Sequence, residues 1–201
     1  MKVQMDKERA ADKPRRTRSD TKMKPVLEAA MEVFRTSGVS APVREIAERA
    51  GVGLGTIYRN FPQRSDLIIA VFQSQVDSCA DTASDMAKKY KPGEALDRWI
   101  ERYTAFIETK RGLAEALHSG DPAYAALSCY FEERLEPALN RLLEAAVEAG
   151  EIRAAINARE LLPAVATLCR GVHGEEPAYA RKLIALLMAG LRQEPKKPSR
   201  K

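Results

Sequence analysis

The stretch VREIAERAGVGLGTIYRNF, residues 43–61, decides how the whole chain is read. Val43, Ile46, Ala47 and Ala50 share one face of a helix expected over 43–50, since apolar residues three and four apart line one side of a 3.6-residue turn. A second short helix is expected over 54–60. Two short helices joined steeply by a turn of a few residues make a helix-turn-helix. That geometry needs a small residue where the helices approach, and Ala47 stands there. It favours glycine where the turn takes a positive φ, and Gly51 follows four residues later. Ile46, Ala50, Val52 and Ile57 then fall where apolar side chains pin both helices to the helix before them.

Working outward, Leu27, Ala30, Met31 and Phe34 form one stripe on a helix expected over 21–37, and Gly38 ends it. A long helix is expected from Arg64 to about Tyr90, stopped by Pro92-Gly93. Leu96, Trp99, Ile100, Tyr103 and Ile107 recur at helical spacing over 94–109. Asp121-Pro122 reads as an N-cap with proline at the first helical position, opening a helix to about Ala149 with a kink at Pro137. Asn157 and Glu160 have capping-box spacing for a helix to about Arg170. Glu176-Pro177 opens a last helix ending near Arg192. No alternating strand pattern occurs. The expected fold is all-α, with about nine helices. A basic arm (1–20), expected to be disordered, precedes a helix-turn-helix domain (21–64), a helical regulatory and dimerisation domain (65–194) and a basic tail (195–201).

Composition agrees with this division. Hydrophobic residues make up 45% of the chain and charged residues 30%, enough for a core and against wholesale disorder. Residues 1–64 carry 14 Lys and Arg against 8 Asp and Glu, whereas residues 65–194 carry 15 against 20. Positive charge confined to one end is the footprint of a polyanion-binding module beside a different one. No apolar run approaches the ~18 residues that a membrane span needs. The first 18 residues lack the apolar centre of a secretory signal. Cys79, Cys129 and Cys169 are isolated, which fits a reducing, cytoplasmic setting and a role as small buried hydrophobes. His118 and His173 stand alone, so no metal is expected.

The helix over 54–60 is the candidate reader of DNA. Gly53, Leu54, Gly55 and Thr56 would turn backbone N–H groups toward phosphate. Thr56, Tyr58, Arg59 and Asn60 project from it, with Arg44 and Arg64 at the starts of the flanking helices. Arg59 either pairs with guanine or meets phosphate or solvent. Thr56 suits a thymine methyl, and Tyr58 and Asn60 suit phosphate. Arg15, Arg16 and Arg18 either reach a neighbouring groove or belong to a solubilising arm. The KKPSRK tail is read as solvated.

VREIAERAGVGLGTIYRNFPQR closely resembles the TetR family of repressors, whose pattern runs V-R-E-I-A-x-x-A-G-V-S-x-G-T-x-Y-x-H-F-x-x-K. MEVFRTSG over 31–38 resembles the family's first helix. The resemblance implies backbone contacts from Thr56 and Tyr58, with Asn60 where the family has His and Arg64 where it has Lys. Gly53-Leu54 replaces the common Ser-Lys, Pro42 replaces a capping Thr, and Gln63 replaces a capping Ser. The wording GVGLGTIYRNFPQRSDL, with KRGLAEAL and a late LCRG, further resembles members with an SbtR-like C-terminal domain.

One such head offers too few base contacts for useful specificity, so pairing on a two-fold axis about 34 Å apart is expected. Leu161, Val165, Leu168 and Val172 form one stripe, and Leu183, Leu187 and Leu191 another. Each serves either the interface or the protomer core. The resemblance, in which the last two helices form a four-helix bundle with their symmetry mates, assigns them to the interface. It also makes 94–150 the surround of a small-molecule cavity, with Trp99, Tyr103, Phe106, Leu117, Tyr124, Leu127, Cys129 and Tyr130 as its lining or as plain core.

The expected partners are a palindromic double-stranded operator, a second copy and a small-molecule effector. The expected function is a repressor released by that effector; a transcriptional activator or a ligand-independent architectural protein are the other readings. Gly51-x-Gly53-x-Gly55 lacks both a preceding strand and a following Lys-Ser/Thr, so it is no nucleotide loop. No enzyme, cofactor or membrane role is expected.

Overall fold

The computed structural model describes residues 18–110, 113–117, 119–170 and 177–193, which contain α-helices, one 3-10 turn and no strand. The helices are α1 (Arg18–Ser37), α2 (Val43–Ala50), α3 (Leu54–Asn60), α4 (Arg64–Lys89), α5 (Pro92–Lys110), α6 (Ala114–Leu117), α7 (Leu127–Glu148), α8 (Ala158–Arg170) and α9 (Pro177–Leu191).

Local chemistry sets most of these limits. Gly38, at φ 78°, ends α1, and its N–H donates to the Phe34 carbonyl at 3.1 Å. Pro42 is extended (φ −60°, ψ 136°) and opens α2 without a side-chain cap, so backbone geometry starts that helix. Gly51 takes φ 66° and ends it, with the Val52 N–H returning to the Ala47 carbonyl at 3.0 Å. A left-handed conformation costs a residue with a Cβ about 1–2 kcal/mol, which explains glycine at the turn. Before α4, the Asp66 carboxylate accepts the Gln63 N–H at 2.8 Å, so the first turn is closed from inside the helix. Asn157 and Glu160 cap α8 reciprocally. The Glu160 carboxylate accepts the Asn157 N–H, and the Asn157 side chain accepts the Glu160 N–H, both at 3.1 Å.

Several expectations need correction. α1 begins at Arg18, so the helix takes in the end of the expected arm. Arg15 and Arg16 lie outside the described residues, as do the tail, Val172, His118 and His173. Asp121 does cap, accepting the Ala123 N–H at 2.9 Å. The element it opens is only the 3-10 turn Pro122–Tyr124, and α7 starts separately at Leu127. A cap is a local signal that sets where a turn begins, not how far it propagates; this turn packs against α4. The short α6 carried no signal of its own. Cys79 and Cys169 are buried, but Cys129 is exposed on α7.

The core is a continuous cluster running from Val26 and Phe34 through Ile46, Ile57, Phe72, Trp99 and Leu139 to Leu191. α4 is its spine, packing on α1 at one side and on α5 and α7 at the other, while α8 packs on α7 and α9. Among the described residues no helix is long and apolar enough to cross a membrane.

Candidate nucleic-acid interface

α2 and α3 divide their residues sharply. α2 buries Ile46 and Ala47 and leaves Arg44 exposed. α3 buries only Ile57, and it exposes Leu54 (40%) and Tyr58 (51%) together with Gly53, Gly55, Arg59 and Asn60. Leu54 and Tyr58, four residues apart, lie on the same side of this short helix.

The polar groups on this face are held by their own helix. Arg59 donates through Nε to the Gly55 carbonyl at 3.2 Å and approaches the Thr56 hydroxyl at 3.5 Å. Asn60 donates through Nδ2 to the Thr56 carbonyl at 2.7 Å. These side chains lie along α3 and exchange weak exposed bonds, which a phosphate or base edge can replace. Thr56 is half-buried between them.

Arg64 is placed differently. Its guanidinium turns inward, donating from Nε to the Val39 carbonyl and from Nη2 to the Ala41 carbonyl at 2.5 Å. It also lies 5.8 Å from the centroid of the Phe34 ring. The candidate residues are thus two groups: an outward set on α2 and α3, and Arg64 at the joint behind them. Leu54, expected to contribute its backbone N–H and standing in place of the family's common Lys, also exposes an apolar side chain. Its signal was an apolar residue off the stripe that ends in Ile57.

The regulatory part holds a nest of aromatic rings. Trp99 and Tyr103 are fully buried and stack at 5.7 Å, nearly parallel at 7°. Tyr103 and Phe106 each approach Phe131 at 6.2 Å, and Phe106 approaches Phe72 at 6.3 Å. Trp99 donates through Nε1 to the Cys79 carbonyl at 3.0 Å, and the Tyr103 hydroxyl donates to the Leu162 carbonyl at 3.2 Å. Burial pushes the Cys79 thiol up to about 12, leaving it an inert filler beneath these rings. Phe72 and Phe131 were absent from the expected lining. Phe131 directly follows the tyrosine that was included, and only the helical register shows which of the pair faces inward.

The remaining pocket candidates sit at the border. Leu127 is buried, while Leu117, Tyr124 and Tyr130 are half-buried. The Tyr130 hydroxyl and Arg134 Nε both donate to Asp77 Oδ1, at 2.8 and 2.7 Å, tying α7 to α4. Burial, then the hydrogen bond to Asp77, pushes the Tyr130 phenol up to about 12. Cys129 belongs elsewhere: on the outer face of α7, its thiol is raised by its hydrogen bond to Glu133.

Three of the expected interface residues need correction. Leu161, Val165 and Leu191 are buried in the protomer's own core, and Leu168, Leu183 and Leu187 are half-buried. The outward apolar residues of α9 are Leu186 (61% exposed) and Tyr179 (47%), with Ala185 and Ala189 exposed beside them. Periodicity identifies a stripe but not which neighbour covers it, and here α8 and α9 turn that stripe on each other and on α5 and α7.

Comparison with known proteins agrees with this geometry. Residues 26–71 match the family described as bacterial regulatory proteins, tetR family. Residues 91–193 match the family described as transcriptional regulator SbtR-like, C-terminal domain. A TetR transcriptional regulator from Streptomyces coelicolor is 34% identical, over 85% of this chain and 98% of that one, with a TM-score of 0.74. A TetR transcription regulatory protein from Mycobacterium vanbaalenii is 29% identical, over 84% and 93%, with a TM-score of 0.66. The fatty acid metabolism regulator protein of Bacillus subtilis is 29% identical over 91 residues, which are 44% of this chain. That match spans about half of the curated relative's own length (47%). With a helix-turn-helix at its N-terminal end and an SbtR-like helical domain behind it, this chain belongs to the TetR family of transcriptional regulators.

Proposed function

We propose that this protein is a homodimeric, cytoplasmic repressor that binds a palindromic operator through α3 and leaves it when a small molecule enters the regulatory domain. The observation that carries the reading is the exposed face of α3, where Leu54, Thr56, Tyr58, Arg59 and Asn60 surround a single buried anchor, Ile57. Arg59 has the donor geometry to read guanine, and Leu54 and Thr56 suit a thymine methyl. Tyr58, Asn60 and Arg44 suit phosphate, which fixes register without reading sequence.

The second copy belongs on the outward face of α8 and α9. Leu186 and Tyr179 are large apolar side chains with no cover in the protomer, and a self-complementary pairing about a two-fold axis buries both twice. Leu186→Glu is expected to shift the protein from dimer to monomer in sedimentation velocity at micromolar concentration, with its helical content unchanged. A dimer that withstands the substitution places the interface elsewhere.

The effector belongs among the rings of α5 and α7. Trp99, Tyr103, Phe106 and Phe131 pack against one another with few polar groups, so a ligand that enters must part them, and an apolar or ring-bearing molecule is the chemistry that can replace their contacts. Tyr130 and Arg134 join that nest to α4 through Asp77, giving the ligand a route to the spine that carries the head. Linkage makes the test sharp, because a ligand that weakens DNA binding must itself bind more weakly when DNA is present. Screening apolar metabolites by thermal shift, followed by fluorescence anisotropy on operator DNA, is expected to find one that raises Tm and releases DNA. Ligands that raise Tm and leave DNA affinity unchanged would contradict effector release.

A further inference from the structure

The residue at the start of α4 occupies a position where the family pattern has lysine, and its half-buried side chain is taken up by the loop between α1 and α2. Arg64 holds two backbone carbonyls at once, those of Val39 and Ala41, on the loop between α1 and α2. Its guanidinium also lies 5.8 Å from the Phe34 ring centroid, at the last turn of α1. We propose that Arg64 is a positioning residue that sets the α1–α2 loop, and with it α2 and α3, on the end of α4, in place of a phosphate contact. The proposal rests on the DNA-binding reading of α3 and adds to it the part that aims the helix.

Three observations support it. First, a cation in the first turn of a helix opposes the positive end of the helix dipole. Arg64 meets that cost with two carbonyl partners in the loop that follows α1. Second, only arginine presents donors in a rigid fork that spans two carbonyls; a lysine ammonium is a point charge on a flexible stem. Third, Val39 and Ala41 are buried, and the Ala41 N–H donates to the Gly38 carbonyl at 3.2 Å, so the loop that the fork grips is itself folded inward. The joint also faces the regulatory domain. The turn Pro122–Tyr124 packs on α4, and the Tyr124 phenol, raised by burial and by Asp121, is pulled back down by the charge of Arg64. The fork therefore stands where head and regulatory domain meet.

The test compares the full-length wild type with Arg64→Lys and Arg64→Met. Operator affinity is measured by fluorescence anisotropy at several salt concentrations, and amide exchange over residues 38–43 by mass spectrometry on the free protein. Arg64→Lys keeps the charge and loses the fork. It is expected to exchange at least tenfold faster over 38–43 and to bind operator at least tenfold more weakly, with the salt slope of the wild type. Wild-type affinity in Arg64→Lys, with a reduced salt slope in Arg64→Met, would make Arg64 a phosphate ligand and overturn the proposal. Faster exchange with unchanged affinity in both variants would reduce it to a structural clamp and overturn the positioning role. If the wild type binds no duplex, the DNA reading fails first, and the exchange arm alone still decides whether the fork holds the loop.

Discussion

Trp99→Ala is expected to lower the unfolding free energy by about 3–5 kcal/mol, the range for removing a large buried aromatic ring. Trp99 is fully buried on α5, stacked on Tyr103 at 5.7 Å, and its indole N–H donates to the Cys79 carbonyl of α4. Alanine leaves a cavity between α4 and α5, and Tyr103 loses the ring that fixes its orientation. A typical domain has only about 5–15 kcal/mol in total, so a large share disappears. Urea unfolding followed by circular dichroism checks the loss, because Trp99 is the chain's single tryptophan and its fluorescence vanishes with it. Trp99→Phe keeps a ring and drops the N–H; it is expected to cost less than half as much. A near-neutral Trp99→Ala would mean that this part of the core is loosely filled, against the stacking described.

Tyr58→Ala is expected to weaken operator binding at least a hundredfold without touching stability. The side chain is 51% exposed and anchors nothing in the protomer. A hydroxyl bonded to phosphate contributes about 1.5–3 kcal/mol. A two-fold complex loses two such bonds, about 3–6 kcal/mol together, which is more than a hundredfold in Kd. Tyrosine is neutral, so the salt slope should stay at the wild-type value, whereas losing a phosphate-bound Arg59 should reduce it. Tyr58→Phe separates hydroxyl from ring: if it binds like the wild type, the ring and not the hydroxyl meets DNA. Thermal unfolding of both variants should match the wild type, as for surface changes generally.

The head was legible because its signals are local. Observed α2 and α3 coincide with the helices expected over 43–50 and 54–60, since Pro42, Gly51 and Gly53 act on backbone within a turn of themselves. Gly38 likewise ended α1 where a glycine with φ 78° must. What escaped depended on partners distant along the chain. Arg64 finds its carbonyls 25 and 23 residues upstream, and no spacing rule links those positions. Leu161 and Val165 looked like an interface stripe, yet tertiary packing turned them inward and left Leu186 outside. Phe131 joined the aromatic nest through a helical register set by the separate start of α7 at Leu127. In each case the hydrophobic period fixed a face, and only the fold decided which neighbour that face meets.

The most direct test of the central claim is selection of duplex DNA from a random pool by the purified full-length protein, followed by anisotropy titration of the enriched sequence at two salt concentrations. One enriched palindrome is expected, with half-sites about one helical turn apart, bound more weakly as salt rises. Enrichment of no sequence, with uniformly weak binding to every duplex, would contradict it.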